Sequence, residues 1–212
     1  MRNEEGEPGG WAYFEDNNIL RTGKPILIGI TEFTKLLAPC LLAGSAQSRK
    51  SYVDQLLAAH EWNIYYSDRH SGKRVMGEAG SIDYPHELKT AIALARHGYD
   101  VLFAPKCMFK RSEKKFDIFI AKEHILLKAD LKYISSKNPD TIANRVRGGS
   151  FQASRVVVEI TSDINKKDLI SGLRSAAFRN DQLREVWLFY KGKLYILPAS
   201  LIKSKRVSSA IK

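Results

Sequence analysis

From Tyr84 onward the apolar positions fall into short runs whose period alternates between helix and strand. Pro85 to Arg96 has the helical period: four, seven and eight residues beyond Glu87 stand Ala91, Leu94 and Ala95, which a 3.6-residue turn gathers on one face. Proline suits the first turn of such a helix, and Gly98 stands where a helix stop is expected. Val101 to Ala104 reads as a short buried strand. Phe116 to Ile120 and His124 to Ile134, rich in β-branched and aromatic residues, read as a hairpin. Ser135 to Asp140 is a turn, and Thr141 to Arg147 begins a second helix that Gly148 and Gly149 are expected to bend or break. Arg155 to Ile160 is an apolar strand and Lys166 to Phe178 a third helix. Val186 to Tyr190 and Leu194 to Leu197 make a last hairpin through Lys191, Gly192 and Lys193. The order from Pro85 to Ile160 is therefore helix, three strands, helix, strand, an α/β (α+β) pattern with a mixed central sheet flanked by helices.

Upstream the signals are weaker. Residues 1–24 are rich in turn formers such as Gly6, Gly9, Gly10, Asn17 and Asn18. A short strand is expected at Pro25 to Ile30, a helix interrupted by Pro39 at Thr31 to Leu42, and a better helix at Tyr52 to Trp62. Ile64 to Ser67 and Arg74 to Glu78 bracket a polar turn and make a plausible hairpin. The pattern divides the chain into a smaller N-terminal subdomain (1–80), a main domain (81–200) and a basic tail (201–212) expected to fray.

The central hairpin carries polar groups where an apolar strand would not need them. Lys128, Asp130 and Lys132 alternate along one face, with Ile125, Leu127 and Leu131 on the other. A turn at Lys122 and Glu123 would set Asp117 opposite Lys128, on the same face and one diagonal step from Asp130. Glu87 lies one turn into the first helix, on its apolar stripe. Each group alone has a plain reading: Glu87 complements the helix dipole, Asp117 binds a turn, and Asp130 and Lys132 form a solvated face or an ion pair. Three acids and a lysine aimed at one place are explained together by a divalent metal, since hard cations take carboxylate oxygens. No histidine or cysteine spacing supports zinc: His86, His97 and His124 are isolated, and Cys40 and Cys107 are far apart.

Charge adds a partner. Residues 1–80 hold nine Lys and Arg against ten Asp and Glu, a net of −1, and residues 81–212 hold 25 against 13, a net of +12. An excess on one part of the chain points to a polyanion, nucleic acid before an anionic membrane. Lys110, Arg111, Lys114 and Lys115 ahead of the hairpin, and Arg145 and Arg147 on the second helix, are the candidate phosphate contacts. Phe109 and Tyr133 could stack on unpaired bases, although both residue types more often serve a core. Met1 to Gly10 is acidic and Gly-rich, unlike a signal peptide. Pro25 to Gly44 is too interrupted for a transmembrane helix, so no stable membrane insertion is expected.

Glu in the first helix, Asp in the second strand and Asp-x-Lys in the third, within this element order, resemble the PD-(D/E)XK nuclease superfamily, and most closely the C-terminal tRNA-nuclease toxin domains of contact-dependent growth inhibition and polymorphic toxin systems. The resemblance spans Tyr84 to Pro198. It implies a restriction-endonuclease-like core, and a metal-dependent endonuclease with Glu87, Asp117, Asp130, Lys132 and Gln152 as its catalytic set. Glu87, Asp117 and Asp130 would be metal ligands, with Mg²⁺ first and Mn²⁺ or Zn²⁺ possible. Gln152 also reads as a polar helix-terminal residue. Phe116 stands where the motif's proline would be, and Asp130 where glutamate is commoner. The implied function is an interbacterial toxin acting on tRNA in the cytoplasm of a target cell, with an acidic immunity protein as partner. Residues 1–80 would then be a delivery segment or a supporting subdomain. A DNase of restriction or repair type and a non-catalytic nucleic-acid-binding module are the alternatives.

Overall fold

The computed structural model describes residues 26–28, 41–42, 62–78, 80–105, 115–122 and 125–212. Their elements are β1 (Ile26–Ile28), β2 (Leu41–Leu42), β3 (Trp62–Ser67), β4 (Arg74–Glu78), α1 (Pro85–Arg96), β5 (Asp100–Phe103), β6 (Ile118–Lys122), β7 (Ile125–Ile134), α2 (Pro139–Gln152), β8 (Arg155–Ile160), α3 (Lys166–Arg179), β9 (Glu185–Tyr190), β10 (Lys193–Pro198), α4 (Ala199–Lys203) and α5 (Val207–Ala210). The strands form one mixed sheet in the order β1-β3-β4-β5-β6-β7-β8-β9-β10, with β2 beside β7. Helix, three strands, helix, strand is thus the observed order from Pro85 to Ile160. The sheet crosses the boundary expected at residue 80, because β4 pairs in parallel with β5.

Sequence period decides which face each helix covers. Leu127, Ala129 and Leu131 of β7, with Val101, Phe103, Ile118, Ile120, Val157 and Trp187, meet the stripe Leu88, Ala91, Leu94 and Ala95 of α1. The alternate residues Ile134, Val156, Val158, Val186 and Leu188 meet Ile142 and Val146 of α2 and Leu169 and Leu173 of α3 on the other face. A strand buried on both faces reads as an unbroken apolar run, as Val156, Val157 and Val158 do. Asn138 and Asn165 cap α2 and α3, their side-chain oxygens accepting from the N–H of Asp140 (2.8 Å) and Asp168 (2.9 Å).

Several expectations are corrected. Gly148 and Gly149 do not break the second helix, which runs on to Gln152. The tail does not fray: Val207 and Ile211 are buried, and the Tyr195 hydroxyl donates to the Lys212 carbonyl at 2.6 Å. Trp62 opens a strand instead of closing a helix, and Leu41 and Leu42 pair with Ile125 and Leu126. The rest of those two expected helices lies outside the described residues.

The central hairpin is also re-registered. Lys122 pairs with Ile125 and Phe119 with Lys128, leaving Glu123 and His124 between the strands in place of Lys122 and Glu123. Asp117 therefore lines up with Asp130, two residues beyond the expected Lys128. Two is an even shift, so the face is kept.

Candidate active site

The site forms where β7 changes partners. On one side β7 pairs with β6 over Ile125 to Ala129, and on the other with β8 over Asp130 to Ile134. Beyond Ala129 the backbone of β6 leaves the ladder, opening a notch at Asp130. Asp117 stands at its lip, held by its own N–H to the Ala129 carbonyl (3.2 Å) and by its carbonyl, which accepts from Ala104 N–H (2.9 Å). Its carboxylate replaces the missing ladder bond: Oδ2 accepts from the Leu131 N–H at 2.6 Å. A strand end next to an acid-bearing neighbour thus fixes Asp117 without a turn.

Asp130 is fully buried. The Lys132 ammonium, two residues on and on the same face, makes an ion pair with Oδ2 and also donates to the Leu131 carbonyl at 3.2 Å. With its amide nitrogen turned toward the acceptors, Gln152 donates to Asp130 Oδ1 (2.9 Å) and to the Lys115 carbonyl (2.6 Å). Gln152 thereby ties the C-terminus of α2 to the site and to the last residue before the hairpin. Burial, reinforced by the charge of Asp117, pushes the Asp130 carboxyl up to about 7 despite Lys132. The site holds more negative charge than its one ammonium offsets.

Glu87 keeps the face of α1 expected of it, but its carboxylate turns to its own helix. It lies on α1, across the sheet from Asp130 and Lys132, and its carboxylate accepts from the N–H of Asp83 (3.2 Å) and Tyr84 (3.3 Å). It therefore caps its own helix. Half-burial, with the charge of Asp117 next, still raises its pKa. Among the described residues no three His, Cys, Asp or Glu side chains are grouped to hold one ion. Asp117 and Asp130 remain as the carboxylate pair. Mg²⁺ is commonly held by only one or two carboxylates and keeps several waters, so this donor set fits it, with the crowded negative charge as the attraction.

Two contributors were not read from the sequence. Gly149 is the reason α2 can approach: a Cβ there would stand 2.6 Å from Asp130 Oδ2 and 2.9 Å from Val156 Cγ1. The glycine pair was legible only as a helix breaker. We expect Gly149→Ala to lower stability by about 1–3 kcal/mol, the usual cost of overpacking, and to reduce any activity of the site, as urea unfolding and assay together would show. Unchanged stability would mean that α2 does not press on Asp130. The other is Glu159, whose Oε2 accepts from Thr90 Oγ1 at 2.5 Å and pins α1 to β8. A charged residue inside an apolar strand was its only signal.

Of the candidate phosphate contacts, Lys115 and Arg145 are exposed and Arg147 half-buried. Arg145 lies seven residues before Gln152, on the same stripe of α2, whereas Arg147 leaves from the opposite flank. Lys110, Arg111 and Lys114 lie outside the described residues, as do Phe109 and His124. No helix among the described residues is long and apolar enough to cross a membrane. No family model, no curated protein and no solved structure matches the chain.

Proposed function

We propose that the chain is a metal-dependent endonuclease with a restriction-endonuclease-like core of the PD-(D/E)XK kind, and that its substrate is RNA, tRNA first. The observation that carries this reading is the notch in β7. Two carboxylates, Asp117 and Asp130, stand side by side where a strand departs, with Lys132 beside them, and burial and mutual repulsion hold Asp130 well above the usual carboxylate range. A purely structural ion pair gains nothing from a second acid at its side. A cation-binding site does.

Asp117 and Asp130 would hold the metal, which when bound makes a water more acidic and offsets charge building on a phosphate. The remaining work belongs to the chain. Leu131 N–H holds the Asp117 carboxylate, and Gln152 holds that of Asp130. Lys132 supplies the cation that stabilises the crowded phosphate oxygens in the transition state. Lys115 and Arg145 bind flanking phosphates, which gives affinity and salt sensitivity without sequence choice. Glu87 caps α1, and the charge of Asp117 reaches it there. The choice of tRNA and the role of an interbacterial toxin rest on the sequence resemblance and on the net charge of residues 81–212.

Incubation of the purified protein with total tRNA, plasmid DNA and Mg²⁺, beside an Asp130→Ala variant, tests the reading. Cleavage of tRNA by the parent alone is the expected result. Intact nucleic acid from both proteins across Mg²⁺, Mn²⁺ and Zn²⁺ would end it, and plasmid cleavage with tRNA spared would turn it to a DNase. Lethality on expression, relieved by Asp130→Ala, is the outcome expected of a toxin.

A further inference from the structure

Tyr84, Tyr133, Phe151 and Phe178 are the large apolar side chains exposed among the described residues. Tyr133 follows Lys132 on β7 and so faces the opposite, α1, side of the sheet, where Tyr84 gives its N–H to the Glu87 carboxylate.

Two of them belong to a ladder of rings. Tyr84 and His86 stack with centroids 5.3 Å apart and planes 16° from parallel. His86 and Tyr133 follow at 5.0 Å and 38°. Tyr84 keeps 57% of its surface exposed and Tyr133 39%, so the ladder is wet at both ends. It stands on the α1 side of the sheet, one residue from Glu87 in α1 and one from Lys132 in β7. Local sequence accounts for it: His86 lies in the first turn of α1, and Tyr133 alternates with Lys132 on β7. Ring stacking brings the two elements together at the surface.

The apolar stripe of α1 is already buried through Leu88, Ala91, Leu94 and Ala95. The surroundings argue for the occupant. Asp83 and Glu87 make the immediate rim acidic, which disfavours a phosphate directly on the rings, but an uncharged base face suffers no such repulsion. The phosphates that follow the base would pass to the basic surface of residues 81–212. Aromatic faces accept any base, and only a base out of a duplex can reach them.

We propose that Tyr84, His86 and Tyr133, on the α1 side of the sheet, form a stacking platform for an unpaired base of an RNA substrate, so that the protein takes up single-stranded or looped nucleotides and not regular duplex. This deepens the nuclease reading and rests on it for the word substrate, but the binding itself can be measured without cleavage.

The test uses the full chain carrying Asp130→Asn, so that the probe stays whole. The probe is a single-stranded RNA oligonucleotide with one 2-aminopurine, compared with the same strand in duplex. The single strand is expected to bind with quenching of its fluorescence, and the duplex to bind without it. Adding Tyr84→Ala and Tyr133→Ala should abolish the quenching and weaken single-strand binding by about tenfold or more, as loss of base stacking does. Tyr133→Phe, which keeps the ring, should retain both, and so separates stacking from misfolding. Single-strand binding and quenching that survive the double alanine change, or equal affinity for duplex, would overturn the platform. Quenching that depends on the rings in a protein whose parent cuts nothing would leave the platform standing and remove the nuclease reading.

Discussion

Asp130→Asn should make the protein more stable above neutral pH while removing about 10³-fold of its nuclease activity. Both effects come from one carboxylate. Its folded pKa, about 7, lies above the ordinary 3.8 because burial, and after it the charge of Asp117, disfavour ionisation. A group whose pKa is raised on folding binds its proton more tightly in the folded chain. Its contribution to stability is complete below about 3.8 and is lost as pH rises through about 7. Asparagine has the same shape and cannot ionise. In EDTA at pH 8 the variant should therefore exceed the parent by on the order of 2 kcal/mol. At pH 4 the two should be nearly equal. Urea midpoints at the two pH values measure this, and a variant weaker than its parent at pH 8 would contradict it. A divalent cation supplies the other half of the comparison. Mg²⁺ should raise the midpoint of the parent at pH 8 and leave the variant unmoved, since a ligand stabilises only the state that binds it. The expected loss of activity is that of removing a preorganised electrostatic group from the reacting centre.

Much of this arrangement could be read in the sequence because it follows from period. Alternation along Lys128 to Lys132 put Asp130 and Lys132 on one face whatever the neighbouring strand did. The stripe of Ala91, Leu94 and Ala95 gave α1 its buried side, and all three are fully buried. Register was not legible, since it depends on which residues occupy a loop, and the hairpin slipped by two. The alignment of Asp117 with Asp130 thus came from a register that differs from the expected one, and the face survived only because the slip is even. The position of Glu87 was half legible. Its face followed from spacing, but the preference of its carboxylate for the N–H groups of Asp83 and Tyr84 over the sheet is a competition between local partners that period does not describe. Gly149 was read by its propensity, which favours a break, whereas close packing against Asp130 and Val156 decided otherwise. The tail was read as basic because Lys203, Lys205, Arg206 and Lys212 are its only charged residues. Ile202, Val207 and Ile211, all buried, seat it in the core that it shares with α3.

Lys132→Met should be the most damaging change at the site, and its damage should depend on pH. The ammonium is Asp130's only cationic partner recorded among the described residues, and only 18% of the lysine side chain is exposed. Without it, an ionised Asp130 would sit buried beside Asp117 with only the Gln152 amide for relief. Removing one member of a buried pair costs about 3–5 kcal/mol, and the partial exposure of Lys132 sets the expectation at the lower end, about 3 kcal/mol. That cost applies only while Asp130 is ionised. Loss of Lys132 removes the one influence that lowers the Asp130 pKa through charge, so the pKa moves further up and the carboxyl escapes by taking a proton. The variant should then fall well below the parent at pH 8.5 in EDTA and approach it at pH 5, the same sense of pH dependence as the parent but continuing to higher pH. Combining the change with Asp130→Asn should restore most of the loss, because the charge that needed a partner is gone. A double-mutant cycle in urea at pH 8.5 measures that coupling directly. Independent, additive losses would mean that the two side chains do not depend on one another. Neither the double variant nor Lys132→Met should regain cleavage, because restoring the fold does not return the cation that faces the phosphate.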